Sequence, residues 1–306
     1  AHLDDLDLNP MLITVDGASD IVYNRDKERN AVPDTLDAQI VRDAARFLEY
    51  GEKMQLSYAV QNTHRTVGTR TSSHIVRKFG MRNSLQPDHL TIKLTGSAGQ
   101  SLGAFAAPGL KIEVLGDAND YVGKGLSGGT IVVRPPMSSL IIAAENTIIG
   151  NTVLYGATGG YLFAAGRAGE RFAVRNSGAS VVVEGCGSNG CEYMTGGVAV
   201  ILGDIGANFG AGMTGGMAYL YDPVGKVQEL LNMETLITCP VTVPHWQHQL
   251  KSLLVSHLQE TDSLKAKDIL QHWETEQRNF LQVCPTEMLV HLSEPLSLEN
   301  DAIPAE

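Results

Sequence analysis

The chain has 306 residues, of which 43% are hydrophobic and 19% are charged, and its formal net charge is −11 at pH 7. This hydrophobic content is too high for a disordered chain, and the acidic balance argues against a nucleic-acid-binding surface, which needs clustered Lys and Arg. Glycine contributes 32 residues, above its usual share of roughly 7%, and this excess is the feature to explain.

Cysteine number and the length of apolar runs indicate the environment of the chain. The four cysteines, Cys186, Cys191, Cys239 and Cys284, are too few for a disulfide-stabilised scaffold. No stretch approaches the ~20 apolar residues that a transmembrane helix needs, and residues 1–10 lack the basic and apolar segments of a signal peptide. We therefore expect a cytoplasmic protein, with neither membrane nor nucleic acid among its partners.

Residues 1–90 are expected to form a mixed α/β segment that packs on the central region. Apolar spacing over 34–51 predicts a helix that begins with a capping residue and ends at a glycine. Alternation over 54–60 predicts a strand, and a short helix is predicted over 72–80.

Residues 91–222 contain most of the glycines, and these recur with a period of about 19 residues. The first glycine column consists of Gly109, Gly129, Gly160, Gly178, Gly197 and Gly216. The second column, six or seven residues later, consists of Gly116, Gly166, Gly185 and Gly203. One interval is longer because it contains residues 134–139, which predict a loop insertion. We expect these ten glycines to be structural, at corners where φ is positive or backbones approach closely.

Each repeat also contains the apolar pattern of one short strand. The third position after each first-column glycine is apolar in all six repeats: Ile112, Val132, Phe163, Val181, Val200 and Tyr219. The first and fifth positions are mostly apolar as well, so the period of two predicts a strand with one buried face. A single repeat cannot bury such a face, whereas stacked repeats can. We predict a mainly β fold, a right-handed parallel β-helix with flanking α-helices, in preference to a glycine-rich β-sandwich.

Residues 223–306 are expected to form a helical wrap and an acidic tail. An apolar stripe over 246–258 predicts a helix that begins at Pro244, and a second helix is predicted over 263–273. The tail over 293–306 is acidic, contains two prolines and is predicted to be loosely held.

Three GxGxxG matches, which start at Gly123, Gly185 and Gly210, could each be a dinucleotide-binding loop. None of them opens the apolar helix that such a loop requires, and the first and third fall in the same phase of the repeat. We therefore interpret them as corners of the repeat.

Two further pairs could begin a metal site. Cys186 and Cys191 have no further ligands at matched spacing, so we expect them to be buried core residues. His245 and His248 lie three apart on a predicted helix, again without a third ligand, and are expected on its polar face.

Asp117 and Asp120 are the nearest approach to a catalytic carboxylate pair. Some solenoid enzymes that cleave acidic polysaccharides use clustered Asp residues, but here Asp recurs at only one further second-column site, Asp204. An Asp turn cap is favoured. The sequence therefore predicts no catalytic, cofactor-binding or metal-binding residue.

Several long strings nevertheless resemble one known family. NTHRTVGTRTSSHIVRKFG, GDANDYVGKGLSGGTIVVRPP and VVEGCGSNGCEYMTGG are similar to the C-terminal, GXGXG-type β-helix domain of the glutamate synthase large subunit. The helical segment that begins PHWQHQLKSLL resembles that domain too, so the resemblance covers about residues 36 to 285.

The resemblance implies an enzyme that converts glutamine, 2-oxoglutarate and two electrons into two glutamates, with NADPH or ferredoxin as donor. In that family a glutaminase domain releases ammonia, and a synthase domain holds FMN and an iron–sulfur cluster. This chain is expected to contain neither of these catalytic centres. It is therefore expected to be a noncatalytic scaffold, without a cofactor of its own, that holds those two domains of the large subunit together. The small NADPH-oxidising subunit would be a further partner, and the plastid stroma the location in a photosynthetic eukaryote.

Two alternatives remain open at this point. The glycine repeat also permits a β-helix subunit like that of formylmethanofuran dehydrogenase, although the similarity outside the repeat favours glutamate synthase. A stand-alone carbohydrate-acting solenoid enzyme would need an Asp/Arg cluster on one sheet face.

Overall fold

Strands and turns, more than helices, organise the chain in the computed structural model, which describes residue 7 and residues 9–12, 33–81, 85–136 and 138–297. The chain divides into two units, residues 1–34 and 35–306. In the first unit, Asn9–Met11 form one 3₁₀ turn, and the Asp7 carboxylate accepts a hydrogen bond from the N–H of Asn9 at 2.9 Å. Everything below concerns the second unit.

The second unit is built on a mixed, mostly parallel sheet with helices on its flanks. Its strands are β1 (Met54–Val60), β2 (Leu90–Ala98), β3 (Leu110–Ala118), β4 (Ser127–Arg134), β5 (Thr147–Ile149), β6 (Gly159–Ala164), β7 (Arg167–Ala168), β8 (Ser177–Val183), β9 (Thr195–Ile201), β10 (Gly215–Tyr221), β11 (Leu236–Pro240) and β12 (Phe280–Pro285). The order is β1-β2-β3-β4-β6-β8-β9-β10-β12-β11, while β5 pairs with β3 and β7. Neighbours are parallel up to β10, and β12 and β11 pair antiparallel. The sheet thus reaches beyond residues 91–222 on both sides.

Six α-helices in the described part of the chain flank the sheet. They are α1 (Leu36–Asp43), α2 (Ala45–Tyr50), α3 (Thr69–Phe79), α4 (Pro244–Thr261), α5 (Leu264–Gln271) and α6 (Trp273–Glu276). The helix predicted over 34–51 is confirmed as α1 and α2, which meet at Ala44. Thr35 caps α1, because its Oγ1 accepts a hydrogen bond from the N–H of Ala38, and α2 ends at Gly51 with φ 71°. None of the helices in the described ranges is long and apolar enough to cross a membrane.

Helix α3 begins three residues before the predicted start at position 72, and the reason is a distant cap. The buried carboxylate of Asp37 accepts hydrogen bonds from the N–H of Arg70 at 2.7 Å and from the Oγ1 of Thr71 at 2.5 Å. A carboxylate at this position satisfies free N–H groups of the first helical turn and opposes the helix dipole. Because Asp37 lies 33 residues upstream, the local sequence of α3 carries no capping signal.

The start of the acidic tail is packed, contrary to the prediction that residues 293–306 are loosely held. The indole Nε1 of Trp246 donates a hydrogen bond to the carbonyl oxygen of Pro295 at 2.9 Å, and Leu296 is buried. The rest of the tail, residues 298–306, lies outside the described residues.

Six return turns opposite the sheet share one unusual backbone conformation, and we call them the turn ladder. Each contains three residues with positive φ, spaced two apart: Ser101, Gly103 and Phe105; Tyr121, Gly123 and Gly125; Thr152, Leu154 and Gly156; Arg171, Ala173 and Arg175; Asn189, Cys191 and Tyr193; and Asn208, Gly210 and Gly212. The two GxGxxG matches at Gly123 and Gly210 fall in this ladder, at equivalent positions, and neither opens a helix.

Hydrogen bonds join each turn to the turns before and after it in a regular pattern. The N–H of Tyr121 donates to the carbonyl of Asn151 in the following turn, and the N–H of Gly123 donates to that of Leu102 in the preceding turn. The N–H of Gly125 again donates to the following turn, at Tyr155. The turn at Asn189, Cys191 and Tyr193 repeats the pattern, so the ladder is hydrogen-bonded in both directions like a parallel sheet.

Two apolar cores lie on opposite faces of the sheet. The first fills the space between the sheet and the turn ladder, where strand residues such as Ile112 and Leu162 meet turn residues such as Phe172. The second lies between the other face of the sheet and the C-terminal helices, and it contains Phe163 and Trp246. Strands from β4 to β10 are therefore apolar on both faces, as strands of parallel sheets that are covered on both sides usually are.

The register of the sheet corrects the predicted first glycine column. Gly129, Gly160, Gly197 and Gly216 lie in line, but Gly109 and Gly178 are each one residue out of line with them. A slip of one residue moves a side chain to the other face of a strand. The predicted single apolar column is consequently divided between the two cores: Ile112 and Val181 lie in the first, and Val132, Phe163, Val200 and Tyr219 in the second.

Seven of the ten column glycines have a positive φ, and the other three, Gly129, Gly178 and Gly203, do not. A neighbouring backbone restricts these three. A Cβ at Gly178 would overlap the carbonyl oxygen of Thr158, and a Cβ at Gly203 would overlap that of Glu184. Both reasons for glycine, conformational freedom and close approach, therefore operate in this sheet.

These two reasons can be separated by three alanine substitutions. Gly178→Ala forces two backbones apart and is expected to cost about 3 kcal/mol of unfolding free energy. The Cβ added by Gly156→Ala meets no atom within 4 Å, but the residue must keep a φ of 64°. This variant should therefore lose about 1 kcal/mol of unfolding free energy. Gly159→Ala, whose Cβ would meet nothing closer than 3.9 Å at an ordinary φ, is the control and should change stability by less than about 0.5 kcal/mol. Urea unfolding measures all three, and equal costs for Gly178→Ala and Gly159→Ala would contradict the close-approach argument.

Candidate functional site

A cleft of about 790 Å³ opens at one corner of the second unit. One wall is formed by residues 135–136, 139 and 141–144 of the segment inserted after β4, and the opposite wall is the junction of α4 and α5. Ile141 and Ile142 contribute apolar surface to the first wall, and Leu264 contributes it to the second. The cleft is therefore a concave, mainly apolar site of the size that binds a ligand or a protein segment.

A buried carboxylate lies at the base of the cleft. Glu184 follows β8 directly, is 2% exposed, and accepts a hydrogen bond from the hydroxyl of Ser263 through Oε1. Nε2 of His257 on α4 lies 3.7 Å from the same oxygen. Ser263 also caps α5, because its Oγ accepts a hydrogen bond from the N–H of Ala266 at 3.0 Å. One hydroxyl thus joins the end of a strand to the start of a helix.

Serine, histidine and a carboxylate together raise the question of nucleophilic catalysis. In a catalytic arrangement the serine hydroxyl donates to the imidazole, which the carboxylate orients. Here the hydroxyl of Ser263 donates to Glu184 instead, and both ring nitrogens of His257 lack a hydrogen-bond partner among the described residues. The geometry therefore fixes the junction of α4 and α5 on the sheet and does not activate Ser263.

Ion pairs attach the same end of α4 to the sheet. Nζ of Lys111 on β3 lies 2.6 Å from Glu260 and 3.4 Å from Asp88. Nη1 of Arg134, at the end of β4, lies 3.0 Å from Asp262. No local sequence pattern predicts these contacts, because the pairs of Lys111 with Glu260 and of Arg134 with Asp262 join residues more than 100 positions apart.

Asp120 acts as a turn cap, as the sequence analysis favours, and Asp117 does not. Oδ1 of Asp120 accepts a hydrogen bond from the N–H of Asn151 at 2.8 Å, across to the next turn of the ladder. Asp117 instead accepts a hydrogen bond from the hydroxyl of Ser97 on β2 at 3.0 Å. Asp204 is paired with Arg167, at 3.2 Å, so these carboxylates have separate structural partners.

Cys186 and Cys191 are fully buried free thiols, as predicted, and Cys191 occupies a core-facing position of the turn ladder. Cys239 and Cys284 lie on the paired strands β11 and β12, where Ile237 stands opposite Cys284. Within the described ranges, no group of three or more His, Cys, Asp or Glu residues could hold a metal ion.

The histidine pair and the GxGxxG match at Gly185 remain to be placed in the fold. His245 and His248 lie exposed on α4. The ring of His245 contacts the ring of Trp246 edge-on, with 4.5 Å between the ring centroids. The third GxGxxG match, at Gly185, leads from the end of β8 into the turn ladder and opens no helix.

Comparisons with known proteins identify relatives of the chain. A family model described as GXGXG motif matches residues 37–286. The NADPH glutamate synthase large chain of Azospirillum brasilense is 62% identical over 305 residues, which are 100% of this chain and 20% of that protein. Ferredoxin-dependent glutamate synthase 2 of Synechocystis is 50% identical over 229 residues, 75% of this chain and 15% of that protein. The NADH glutamate synthase of Schizosaccharomyces pombe is 42% identical over 301 residues, 97% of this chain and 14% of that protein.

These matches confirm the resemblance to the glutamate synthase large subunit. The chain spans a fifth or less of the length of these relatives. The similarity to the Azospirillum protein includes the helical segment outside the glycine repeat, since it extends over the whole chain.

Removing the Ser263 hydroxyl should destabilise the fold at this corner. Ser263→Ala leaves the N–H of Ala266 without its cap and a buried oxygen of Glu184 without its donor, so we expect a loss of about 2–3 kcal/mol in unfolding free energy. Ser256→Ala is the matched control, because the Ser256 hydroxyl bonds only to the carbonyl of Ser252 in the same helix. It should change stability by less than about 0.5 kcal/mol. Urea unfolding of both variants decides this, and equal losses would refute the bridging role.

Thiol labelling tests the burial of the turn-ladder cysteines. Burial raises the pKa of Cys186 to about 12, and burial also raises the pKa of Cys191 well above its usual value. At pH 8 about one Cys186 thiol in 10⁴ is then the reactive thiolate. Ellman's reagent should therefore leave both thiols unmodified in the native protein and label all four cysteines in urea. Rapid native labelling of Cys186 or Cys191 would contradict their structural assignment.

Proposed function

The chain belongs to the GXGXG motif family and resembles a segment of glutamate synthase large chains, and on this premise we propose that it is a noncatalytic structural domain of such an enzyme. It would hold a glutaminase domain and an FMN-containing synthase domain in register while glutamine, 2-oxoglutarate and two electrons give two glutamates. The observation that carries the proposal is 62% identity over the whole chain to a protein five times longer.

We also propose that the fold is a right-handed parallel β-helix. Two observations support this proposal. Successive repeats are hydrogen-bonded to each other through their parallel strands, and they are hydrogen-bonded again through the turn ladder. Each repeat passes once through each ladder, and the first core lies between them. The right-handed sense follows from the strong preference of parallel strand connections for that hand.

Such a body would suit a scaffold because its interior is stiff along the repeat axis. Every repeat is bonded to its neighbours on two sides, and the second core attaches the C-terminal helices to the sheet. Two domains fixed to this body would keep a constant separation, which a passage for ammonia between them requires.

The FMN and the iron–sulfur cluster of the family do not fit the residues of this chain. A cluster needs about four cysteine ligands in one place, whereas Cys186 and Cys191 are buried in the first core and Cys239 and Cys284 lie on β11 and β12. The glycine turns offer no phosphate site at a helix N-terminus, because N–H groups such as those of Gly123 and Gly125 bind carbonyls of adjacent turns. We place both groups in the synthase domain, with the small NADPH-oxidising subunit as a further partner.

Complementation would test the structural role. The purified chain is mixed with a large chain truncated before the region that it resembles, and glutamine-dependent glutamate formation is measured. We expect activity from the mixture and at most a small fraction of it from either piece. A truncated large chain of full activity would contradict the scaffold proposal, as would synthase activity or a flavin spectrum of this chain alone. Circular dichroism and the flavin content of the truncated chain verify that it is folded.

A further inference from the structure

Four large apolar side chains are exposed around the cleft, and we call them the corner patch: Leu140, Ile141, Ile142 and Leu264. The exposed fraction is 100% for Leu140 and 80% for Leu264. Three members of the patch also line the cleft. Soluble proteins expose scattered apolar residues, but several together beside a concave site are typical of a surface that another protein covers.

The inserted segment has little structural reason to be apolar. It interrupts the repeat between β4 and β6, and its sequence over 139–144 reads SLIIAA. Leu140 contributes nothing to either core, since its side chain is fully exposed. An exposed loop that served only to connect two strands would be expected to carry polar and turn-forming residues. Exposed apolar side chains of this kind are typical of a surface that makes a contact.

The charges around the patch indicate the chemistry of the partner. Lys265 and Lys267 at the start of α5, together with Arg134, lie around the cleft. The acidic residues of the same wall are engaged, because Glu184 is buried against Ser263 and Asp262 pairs with Arg134. Because Asp262 neutralises Arg134, the positive charge that is left at the rim is that of Lys265 and Lys267, in a chain whose net charge is −11. An apolar segment with acidic side chains at its edges is complementary to this surface.

A second copy of this chain fits the patch poorly. A symmetric dimer through the patch would place the same surface on both sides of the interface. The lysines of one rim would then face the lysines of the other, and like charges across an interface are costly. A neighbouring part of a longer polypeptide has no such conflict, and the relatives are about five times the length of this chain.

We propose that the corner patch and the adjoining cleft are the surface on which a neighbouring domain of the same large chain docks, through an apolar segment flanked by acidic side chains. This inference rests on the proposed function and adds to it the surface that makes the contact. Docking buries Leu140 and Leu264 and places acidic groups opposite Lys267.

Two exposed substitutions test the patch in the full system. Leu140→Asp and Leu264→Asp put a negative charge where an apolar contact is expected, and neither side chain supports the fold. Val290→Asp, at a side chain that is 83% exposed and that does not line the cleft, is the matched control. Affinity for the truncated large chain is measured by titration calorimetry. Urea unfolding of the free variants verifies that all three remain folded.

We expect each patch variant to bind at least tenfold more weakly than the wild-type chain, and the control to bind within twofold of it. Lys267→Glu should weaken binding as well, and the affinity of the wild-type chain should fall as salt is raised. Hydrogen exchange of residues 138–146 and 262–267 should be slower in an intact large chain that contains this sequence than in the isolated chain. Exchange of residues 286–291 should be the same in both.

Three outcomes would overturn the inference. Patch variants that bind within twofold of the wild type would show that docking occurs elsewhere, and the proposed function would then stand. A wild-type chain that fails to bind a folded truncated large chain would overturn the proposed function as well. Self-association of the isolated chain that Leu140→Asp abolishes would identify a second copy as the occupant.

Discussion

Hydrogen bonding between successive turns is the constraint on which the rest of this structure depends. In each turn of the ladder three residues, two apart, have positive φ, and in four of the six turns all three N–H groups bond alternately to the following and to the preceding turn. A positive φ costs an L-residue about 1–2 kcal/mol, and most of these positions are not glycine. A single turn of this kind would be unfavourable alone. Bonds on both sides and core-facing members such as Leu154 and Cys191 offset the cost, so the turns form only as a stack.

The stacked strands also explain why the fold needs the C-terminal helices α4 and α5. Strands from β4 to β10 bury apolar residues on the face toward the turn ladder and on the opposite face. Without α4 and α5 the opposite face would expose Phe163 and Tyr219, among others, along several adjacent strands. Polar contacts then fix the position of α4 and α5 on this face of the sheet. Glu184 at the end of β8, Ser263 at the start of α5 and Arg134 at the end of β4 all meet at the junction of the two helices.

Sequence patterns were sufficient for features that depend on neighbouring residues and failed for those that depend on distant ones. The helix over 34–51, the strand over 54–60 and the parallel pairing of the repeats follow from local spacing. The alignment of Gly109 and Gly178 does not, because apolar residues on both faces remove the signal that normally reveals a slip of one residue. The start of α3 depends on the carboxylate of Asp37, and the cleft depends on contacts between β4 and α4. Neither feature can be predicted from the residues next to it in the sequence.

Several residues with catalytic potential have structural partners in the described ranges. Asp120 caps a turn, Cys191 faces the core, and the hydroxyl of Ser263 is held between a carboxylate and a helix N-terminus. The segment inserted between β4 and β6 interrupts the repeat, and its exposed side chains Ile141 and Ile142 lie beside the corner where helices, strands and ion pairs converge. A contact made there would reach a body that is hydrogen-bonded along the strands and along the turn ladder, and this suits the proposed role of positioning other domains.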